Sequence, residues 1–265
     1  MLFSIIIIFK TLINHLIIIK KKMYINFNSD FESQMNSSGK QESFSQQMRK
    51  GFITKVYGIL SFQLAITVLF CLVSMSSVGF QKFQIEHSTL FIICLIATIV
   101  LPCVIVCFQE TMRKYPTNYI ILFSFTVAES YVVSFICSRS NPSLVFMAAF
   151  MTFSLVIALT LYAMTTKTDF TMEGGLIFIA GCCLFMFSIF LIFTKNKIFH
   201  IIFCLLAIGL FGVYLIYDTQ LILGNKQQSL EVDDYILAAF MLYTDIVYLF
   251  LRILELLQLI FSENN

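Results

Sequence analysis

Two apolar segments decide the fold: residues 205–224, which read LLAIGLFGVYLIYDTQLILG, and residues 235–261, which read YILAAFMLYTDIVYLFLRILELLQLIF. A short polar stretch, NKQQSLEVDD, separates them. Each segment carries a carboxylate within its apolar length, Asp218 in the first and Asp245 in the second. An ionised aspartate at the middle of a bilayer costs about 2.5–3.5 kcal/mol on insertion scales. We therefore expect the rest of the chain to form a membrane bundle that holds these two aspartates together.

The composition is that of a membrane protein. Of 265 residues, 59% are apolar and only 12% are charged, whereas charged residues make up about a quarter of an ordinary soluble domain. The length accommodates about seven spans of roughly 20 residues with short loops. A net charge of +2 is too small to indicate a nucleic-acid partner, so we expect the lipid bilayer to surround the chain. The predicted fold class is all-α, a polytopic bundle of seven transmembrane helices.

Hydropathy and loop composition place seven spans in a domain covering residues 49–265. The second span contains Pro102, which predicts a kink, and Asn141-Pro142 precedes the fourth span. The predicted spans are residues 54–76, 89–109, 118–138, 143–164, 174–194, 198–222 and 235–261. The loops between them are short, which is typical of antiparallel neighbours in a helix bundle.

Residues 1–48 form a separate leader and tail. Residues 1–22 are apolar but are interrupted by Lys10 and His15, so they fit an extra anchor or an artefact of the assigned start, since Met23 begins a more ordinary polar leader. Residues 24–50 are rich in Ser, Asn and Gln and cannot bury a core, which predicts a disordered cytosolic tail.

Basic residues near the ends of the spans predict the orientation, because cytosolic loops carry an excess of Lys and Arg. With the tail in the cytosol, seven basic residues lie inside and four lie outside. The seventh segment either crosses fully or re-enters, since Asp245 and Arg252 interrupt its apolar run. The inside set is Arg49, Lys50, Lys55, Arg113, Lys114, Lys167 and Lys226, and the outside set is Lys82, Arg139, Lys195 and Lys197.

All eight cysteines fall within or at the ends of apolar segments. Cys103 and Cys107 are four residues apart on one helix face, but no His or further thiol accompanies them. We interpret the cysteines as small membrane hydrophobes rather than as a disulfide framework or a metal site.

Intramembrane carboxylates usually face the interior of a bundle and mark an ion or proton path. Asp218 and Asp245 brought together in a low-dielectric interior cannot both ionise cheaply, so the pair would share a proton and act as a pH sensor. Once deprotonated, the pair offers oxygen ligands for transient contact with Ca²⁺, with no resident cofactor. The alternative is a structural hydrogen-bond cluster. We assign supporting roles to Tyr214, Glu129, Tyr248 and Arg252, and Glu255 joins them as an ionisable residue near the membrane edge.

The same residues carry a resemblance to a known family. VYLIYDTQLILG followed by DDYILAAFMLYTDIVYLFLRILELL resembles the signature of the Bax inhibitor-1 / lifeguard family, in its lifeguard branch. Three further stretches are similar to the family's first span, its second loop and third span, and its loop between spans four and five. These stretches are FITKVYGILSFQLAITV, MRKYPTNYIILFSFTVAESYVVS and LTLYAMTTKTDFTMEGG. The resemblance covers about residues 49–262.

The resemblance implies a seven-helix protein of endoplasmic reticulum or Golgi membranes. It further implies a pH-sensitive Ca²⁺ leak and suppression of cell death, with cell-death regulators or receptors as membrane partners. The family's sensor aspartates fall on Asp218 and Asp245. Its basic latch falls by position on Arg113, with Lys114 as the neighbouring alternative. The charged tail of the family is reduced here to SENN.

Two other functions compete with the leak. The first is a non-conducting interaction protein that modulates receptors or cell death through its tail and helix faces. The second is an intramembrane aspartyl protease, because Tyr217-Asp218 matches the first half of that motif. Thr244-Asp245 lacks the preceding Gly-x-Gly, and no Pro-Ala-Leu sequence follows, so we do not expect an enzyme.

Overall fold

The computed structural model describes residues 39–108, 113–194, 196–224 and 226–261. Within these ranges the chain forms eight α-helices and a 3₁₀ turn at Phe170–Met172, and it contains no strand. We number the helices in chain order: α1 Gly39–Ser76, α2 Val78–Glu86, α3 Ser88–Cys107, α4 Thr117–Ser138, α5 Pro142–Thr165, α6 Gly174–Phe193, α7 Lys197–Leu223 and α8 Tyr235–Phe261.

Seven of these helices, α1 and α3 to α8, are long and apolar enough to cross a membrane. The all-α, seven-span prediction is therefore confirmed, and most predicted span boundaries agree with the helices to within one or two residues. The first helix differs, because it begins at Gly39, inside the segment predicted to be disordered, and its candidate membrane span is Gln46–Ser76. The short helix α2 was not predicted. Residues 1–22 lie outside the described residues.

Local sequence explains where several helices begin and end. The side chains of Asn141 and Asn196 accept hydrogen bonds from Ser143 N and Ile198 N, each at 3.0 Å, which caps α5 and α7. Gly224 ends α7 in the left-handed conformation with φ 68°, which glycine adopts without steric cost. Pro102 lies within α3, which continues past it to Cys107. Each cap supplies a hydrogen-bond partner to a backbone group at the helix end, which hydrocarbon could not supply.

Helix α8 lies at the centre of the bundle. It packs against α7, α1 and α5, and to a smaller extent against α4, while α3 packs on α4 and α6 packs on α7. It runs without a break for 27 residues, which corresponds to about 40 Å at 1.5 Å per residue. A re-entrant segment would need to turn back within this length, so the continuous helix contradicts that alternative.

The two ends of the bundle are distinct. We call the end that holds the start of α1 the N-terminal face. It also carries the α3–α4, α5–α6 and α7–α8 connections. Four basic residues of the predicted inside set lie in these connections, and the other three, Arg49, Lys50 and Lys55, lie in the first half of α1. The opposite face carries α2, the α4–α5 and α6–α7 turns and the end of α8. Which face meets the cytosol stays a prediction.

Candidate functional site

Asp218 and Asp245 lie on α7 and α8, which form the most extensive helix–helix contact in the bundle. Their exposed fractions are 0% and 1%. Asp218 is five residues from the end of α7 and Asp245 is ten residues from the start of α8, so they lie about 7.5 Å and 15 Å inside the N-terminal face. The fold therefore puts both carboxylates in its interior, on neighbouring helices, in the half nearer that face.

Buried tyrosines of α7 and α8 lie within electrostatic range of these carboxylates. Tyr217 lies within electrostatic range of Asp218, of Tyr214 and of Asp169, which precedes the 3₁₀ turn. Tyr214 and Tyr217 are both buried. The direct support of Asp218 by Tyr214, predicted from their spacing of four residues, stays a prediction.

Tyr248 connects Asp245 to a third buried carboxylate. It lies within electrostatic range of Glu129, Tyr243 and Asp245, and its ring is 5.7 Å from that of Phe211 on α7. Glu129, on α4, is 1% exposed. Its Oε2 has no hydrogen-bond partner among the described residues. Three helices therefore each bring one carboxylate into the interior.

A chain of hydroxyl and amide groups lies beside Glu129, between α1, α4 and α8. Thr67 Oγ1 is 2.9 Å from Ser130 Oγ and 2.8 Å from Tyr243 Oη. Gln63 Nε2 donates to Thr126 Oγ1 at 2.8 Å, four residues earlier on each helix. Sequence reasoning missed these residues. The signal was present as polar pairs spaced by four on both helices, 63 and 67 on α1 and 126 and 130 on α4.

A groove of about 560 Å³ lies between α1 and α4. Gln63 and Thr126 are among its lining residues, which are otherwise mostly apolar, and Tyr119 lines it toward the N-terminal face. The hydrogen-bonded chain beside Glu129 therefore borders a space between the helices.

Arg113 does not reach into the bundle. Its guanidinium binds Asp234 through two hydrogen bonds of 2.9 and 3.1 Å and binds Glu231 at 2.7 Å. The hydrogen bond with Asp234 is the main reason that the pKa of Arg113 is raised above its usual value, although partial burial opposes this. The predicted latch residue thus joins the α3–α4 connection to the loop between α7 and α8, and the acidic partners were not identified from the sequence.

The α7–α8 loop, by which we mean residues 224 and 226–234, is held from several sides. Arg49 of α1 donates to Leu230 O at 2.8 Å, and Lys226 donates to Thr166 O and Lys167 O, each at 3.0 Å. Leu230 N in turn donates to Leu221 O at 3.0 Å. The loop that joins the two aspartate-bearing helices is therefore fastened to α1 and to the α5–α6 connection.

Asp169 contributes to the same fastening. It accepts hydrogen bonds from Thr171 N at 3.0 Å and from Gln227 N at 3.2 Å. Burial acts to raise the pKa of this carboxyl, but the hydrogen bonds from Thr171 and Gln227 together with the Lys226 charge outweigh it and lower the pKa below its usual value. Asp169 is consequently ionised throughout the neutral range.

Arg252 lies apart from the aspartates, toward the opposite face. Its Nη1 binds Glu255 Oε2 at 2.6 Å, and its guanidinium lies 5.2 Å from the centre of the Phe203 ring on α7. Arg252 is buried and Glu255 is partly exposed. These contacts assign Arg252 to the interface between α7 and α8.

The described residues contain no group of three or more His, Cys, Asp or Glu side chains that could hold a metal ion. Ca²⁺ takes six to eight oxygen ligands, and two carboxylates supply at most four. Transient contact of this pair with Ca²⁺ stays a prediction.

Comparison with known proteins bears on the whole bundle. The family model described as "Inhibitor of apoptosis-promoting Bax1" matches residues 49–263. The chain is 31% identical to Protein lifeguard 3 of Homo sapiens over 235 residues, which cover 87% of this chain and 76% of that protein. It is 32% identical to Protein LIFEGUARD 2 of Arabidopsis thaliana over 247 residues, covering 89% and 99% of the two chains.

Proposed function

Because this chain belongs to the Bax inhibitor-1 / lifeguard family, we propose that it is a pH-sensitive Ca²⁺ leak of an endoplasmic reticulum or Golgi membrane, with Asp218 and Asp245 as its gate. Membership by itself makes the chain a multi-pass membrane protein of apoptosis regulation and points to a regulator rather than an enzyme. The observation that carries the finer proposal is the burial of both aspartates on the two most extensively packed helices.

The proposed gate works by competition between protons and a cation. Two carboxylates that share a low-dielectric interior retain a proton at low pH, because the second negative charge is costly. Glu129 from α4, Asp169 from the 3₁₀ turn and the buried tyrosines of α7 and α8 are the other titratable groups near the pair. When the proton leaves, the oxygens become ligands for Ca²⁺, which neutralises the charge in its place.

Arg113 is the proposed latch, and it would act through the α7–α8 loop. The loop is continuous with α7 at one end and with α8 at the other, so a contact that holds it restrains both aspartate-bearing helices. Arg113 supplies this contact through Asp234 and Glu231, at the surface rather than at the aspartates themselves. Loss of the Arg113 contacts would therefore release the α7–α8 loop first, and the helices that carry the two aspartates would move afterwards.

The test is Ca²⁺ flux into proteoliposomes from pH 5.5 to 8, for wild type, Asp218→Asn and Asp245→Asn. We expect a pH-dependent flux in wild type and an altered pH dependence in both variants. Asp233→Asn is the matched control, because Asp233 is an exposed carboxylate of the α7–α8 loop. A tenfold rise in Ca²⁺ should move the midpoint of the wild-type pH profile to lower pH, since Ca²⁺ and protons compete.

The same experiment separates the leak from its alternatives. A flux with an unchanged pH profile in both aspartate variants would refute the gate. If no pH gives protein-dependent flux, the interaction protein becomes the better account and the aspartates become a structural pair. If wild type cleaves a model membrane substrate and the aspartate variants do not, the protein is instead an intramembrane aspartyl protease.

A further inference from the structure

Two thiols from different helices face each other near the opposite face of the bundle. Cys71 Sγ of α1 lies 3.9 Å from Cys137 Sγ of α4. Both cysteines are free thiols, and α1 and α4 form one of the two most extensive helix contacts. A disulfide has an S–S length of about 2.05 Å, so the sulfurs need to approach by about 1.9 Å to bond.

Hydrogen bonds on both sides of the pair fix the register of the two helices. Toward the bundle centre, Thr67, one turn before Cys71, contacts Ser130, two turns before Cys137, at 2.9 Å. Nearer the opposite face, Gln84 of α2 bridges the two helices, because Ser74 of α1 and Ser138 of α4 donate to its Oε1 at 2.7 Å and 3.4 Å. The thiols are therefore held in the same relative position by contacts that do not involve sulfur.

The two thiols differ in access. Cys137 is fully buried, whereas Cys71 is half-buried. Cys71 lies five residues before the end of α1 at Ser76, which corresponds to about 7.5 Å from that end, and Cys137 is next to the last residue of α4. In the orientation predicted from the basic residues, this face points away from the cytosol, and the lumen of the proposed endoplasmic reticulum or Golgi membrane is an oxidising compartment.

We propose that Cys71 and Cys137 are a reversible dithiol–disulfide pair whose oxidant is a small disulfide such as glutathione disulfide. The Cys71 thiolate attacks the disulfide, which forms a mixed disulfide and releases one thiol. The sulfur of Cys137 then attacks Cys71 sulfur and expels the second thiol. The two cysteines lose two electrons and two protons, and the small disulfide gains both to become two thiols.

The bond would join α1 to α4 covalently between two hydrogen-bonded contacts. It would hold α1, which also fastens the α7–α8 loop through Arg49, against the helix that carries Glu129. The proposed pairing rests on the organelle and orientation of the proposed function, but it does not require the chain to conduct. Absence of Ca²⁺ flux would therefore leave the pairing intact, and absence of the disulfide would leave the leak intact.

The experiment is thiol counting and peptide mapping of the full chain in lipid nanodiscs, equilibrated with reduced or oxidised glutathione and then denatured with a thiol-blocking reagent. We expect eight blockable cysteines after reduction and six after oxidation. Tryptic cleavage separates the two cysteines, so a disulfide would join the peptide 56–82 to the peptide 115–139. Each of these peptides contains one cysteine.

Single variants make the result specific. Cys71→Ser and Cys137→Ser should each abolish the joined peptide. Each variant should retain its seven remaining thiols in oxidised glutathione. In Cys137→Ser, Cys71 can instead carry a mixed disulfide with glutathione. Cys204→Ser is the control, since Cys204 is a buried thiol of α7. It should still form the link. Eight blockable thiols in oxidised wild type, or a link through Cys103–Cys107 or Cys182–Cys183 instead, would overturn the proposal.

Discussion

The inner spans of this bundle are more polar than its outer spans, which is the reverse of the pattern in a soluble protein. Among the seven spans, α4 and α8 have the lowest mean hydropathies, 1.9 and 1.8, yet 67% and 89% of the residues in their 18-residue apolar stretches are buried. Helices α5 and α6 have mean hydropathies of 2.4 and 2.8, yet only 17% and 28% of the residues in their 18-residue apolar stretches are buried. The more polar helices lie inside because hydrocarbon surrounds the bundle and offers polar groups no partner.

The charged residues follow the same division. Helices α5 and α6 contain no charged residue, whereas α4 carries Glu129 and α8 carries Asp245, Arg252 and Glu255. Polar groups that water would solvate in a soluble protein must here find partners on neighbouring helices. A polar residue on an inner span is therefore a stronger indication of function or of helix register than an apolar one.

The largest expected effect contrasts two phenylalanines. Phe125 of α4 is 0% exposed and its ring lies 4.9 Å from that of Phe240, whereas Phe153 of α5 is 64% exposed. Phe125→Ala should destabilise the bundle by about 3–5 kcal/mol, because it leaves a cavity between inner helices. Phe153→Ala should have little effect, since lipid fills the space. Unfolding in mixed detergent measures both, and equal losses would contradict the inner–outer division.

The next effect contrasts two glycines. Gly224 has φ 68°, and an added Cβ would lie 2.6 Å from the Arg49 guanidinium, whereas a Cβ on Gly175 of the outer helix α6 would meet nothing within 4 Å. Gly224→Ala should therefore cost about 1–3 kcal/mol through backbone strain and displacement of Arg49. Gly175→Ala should be neutral or slightly stabilising. The same unfolding assay tests the pair, and a harmless Gly224→Ala would argue against the fastened α7–α8 loop.

A smaller effect is expected at Arg113. Its side chain is 40% exposed, so solvent screening limits the contribution of its ion pairs to at most about 1 kcal/mol. Arg113→Gln should weaken the fold by that amount at low salt and by less at high salt, while Lys114→Gln serves as the neighbouring control. Hydrogen exchange of residues 226–234 should rise in Arg113→Gln alone. Unchanged hydrogen exchange in Arg113→Gln would contradict the proposed role of Arg113 as a latch.

The smallest effect concerns Asp169. The pKa of Asp169 is lower in the folded protein than in the unfolded chain, where it is about 3.9. Its ionised form therefore stabilises the fold fully above about pH 3.9, and this stabilisation is lost as the pH falls through the pKa of the folded state. It does not titrate between pH 5.5 and 8. Asp169→Asn should therefore leave the midpoint of the pH-dependent flux in place. A shifted midpoint would show that the sensor extends to the 3₁₀ turn.

Much of the fold could be read from the sequence, because hydropathy determines long membrane helices almost by itself. The spans, the burial of Asp218 and Asp245 and the contact between their helices were all predicted. The start of α1 at Gly39 was missed because residues 39–45 have no apolar period, and α2 was missed because Val78–Glu86 is short and mixed in composition.

The partners of the site residues were harder to predict. Arg113 binds Asp234 and Glu231, which lie more than a hundred residues away in the chain, and no local pattern encodes such a contact. The same is true of the Thr67–Ser130–Tyr243 contacts and of the Cys71–Cys137 approach, which depend on the rotation of each helix. Periodicity gives the face of a single helix, but packing decides which faces meet.

The most direct test of the central claim is infrared difference spectroscopy of the protein in lipid as the pH is raised from 5.5 to 8. The account predicts loss of a protonated-carboxyl band in wild type across this range, and absence of that loss in the Asp218→Asn/Asp245→Asn double variant. Asp233→Asn should behave as wild type. If wild type shows no such change, or if the double variant retains it in full, the two aspartates are not the pH sensor.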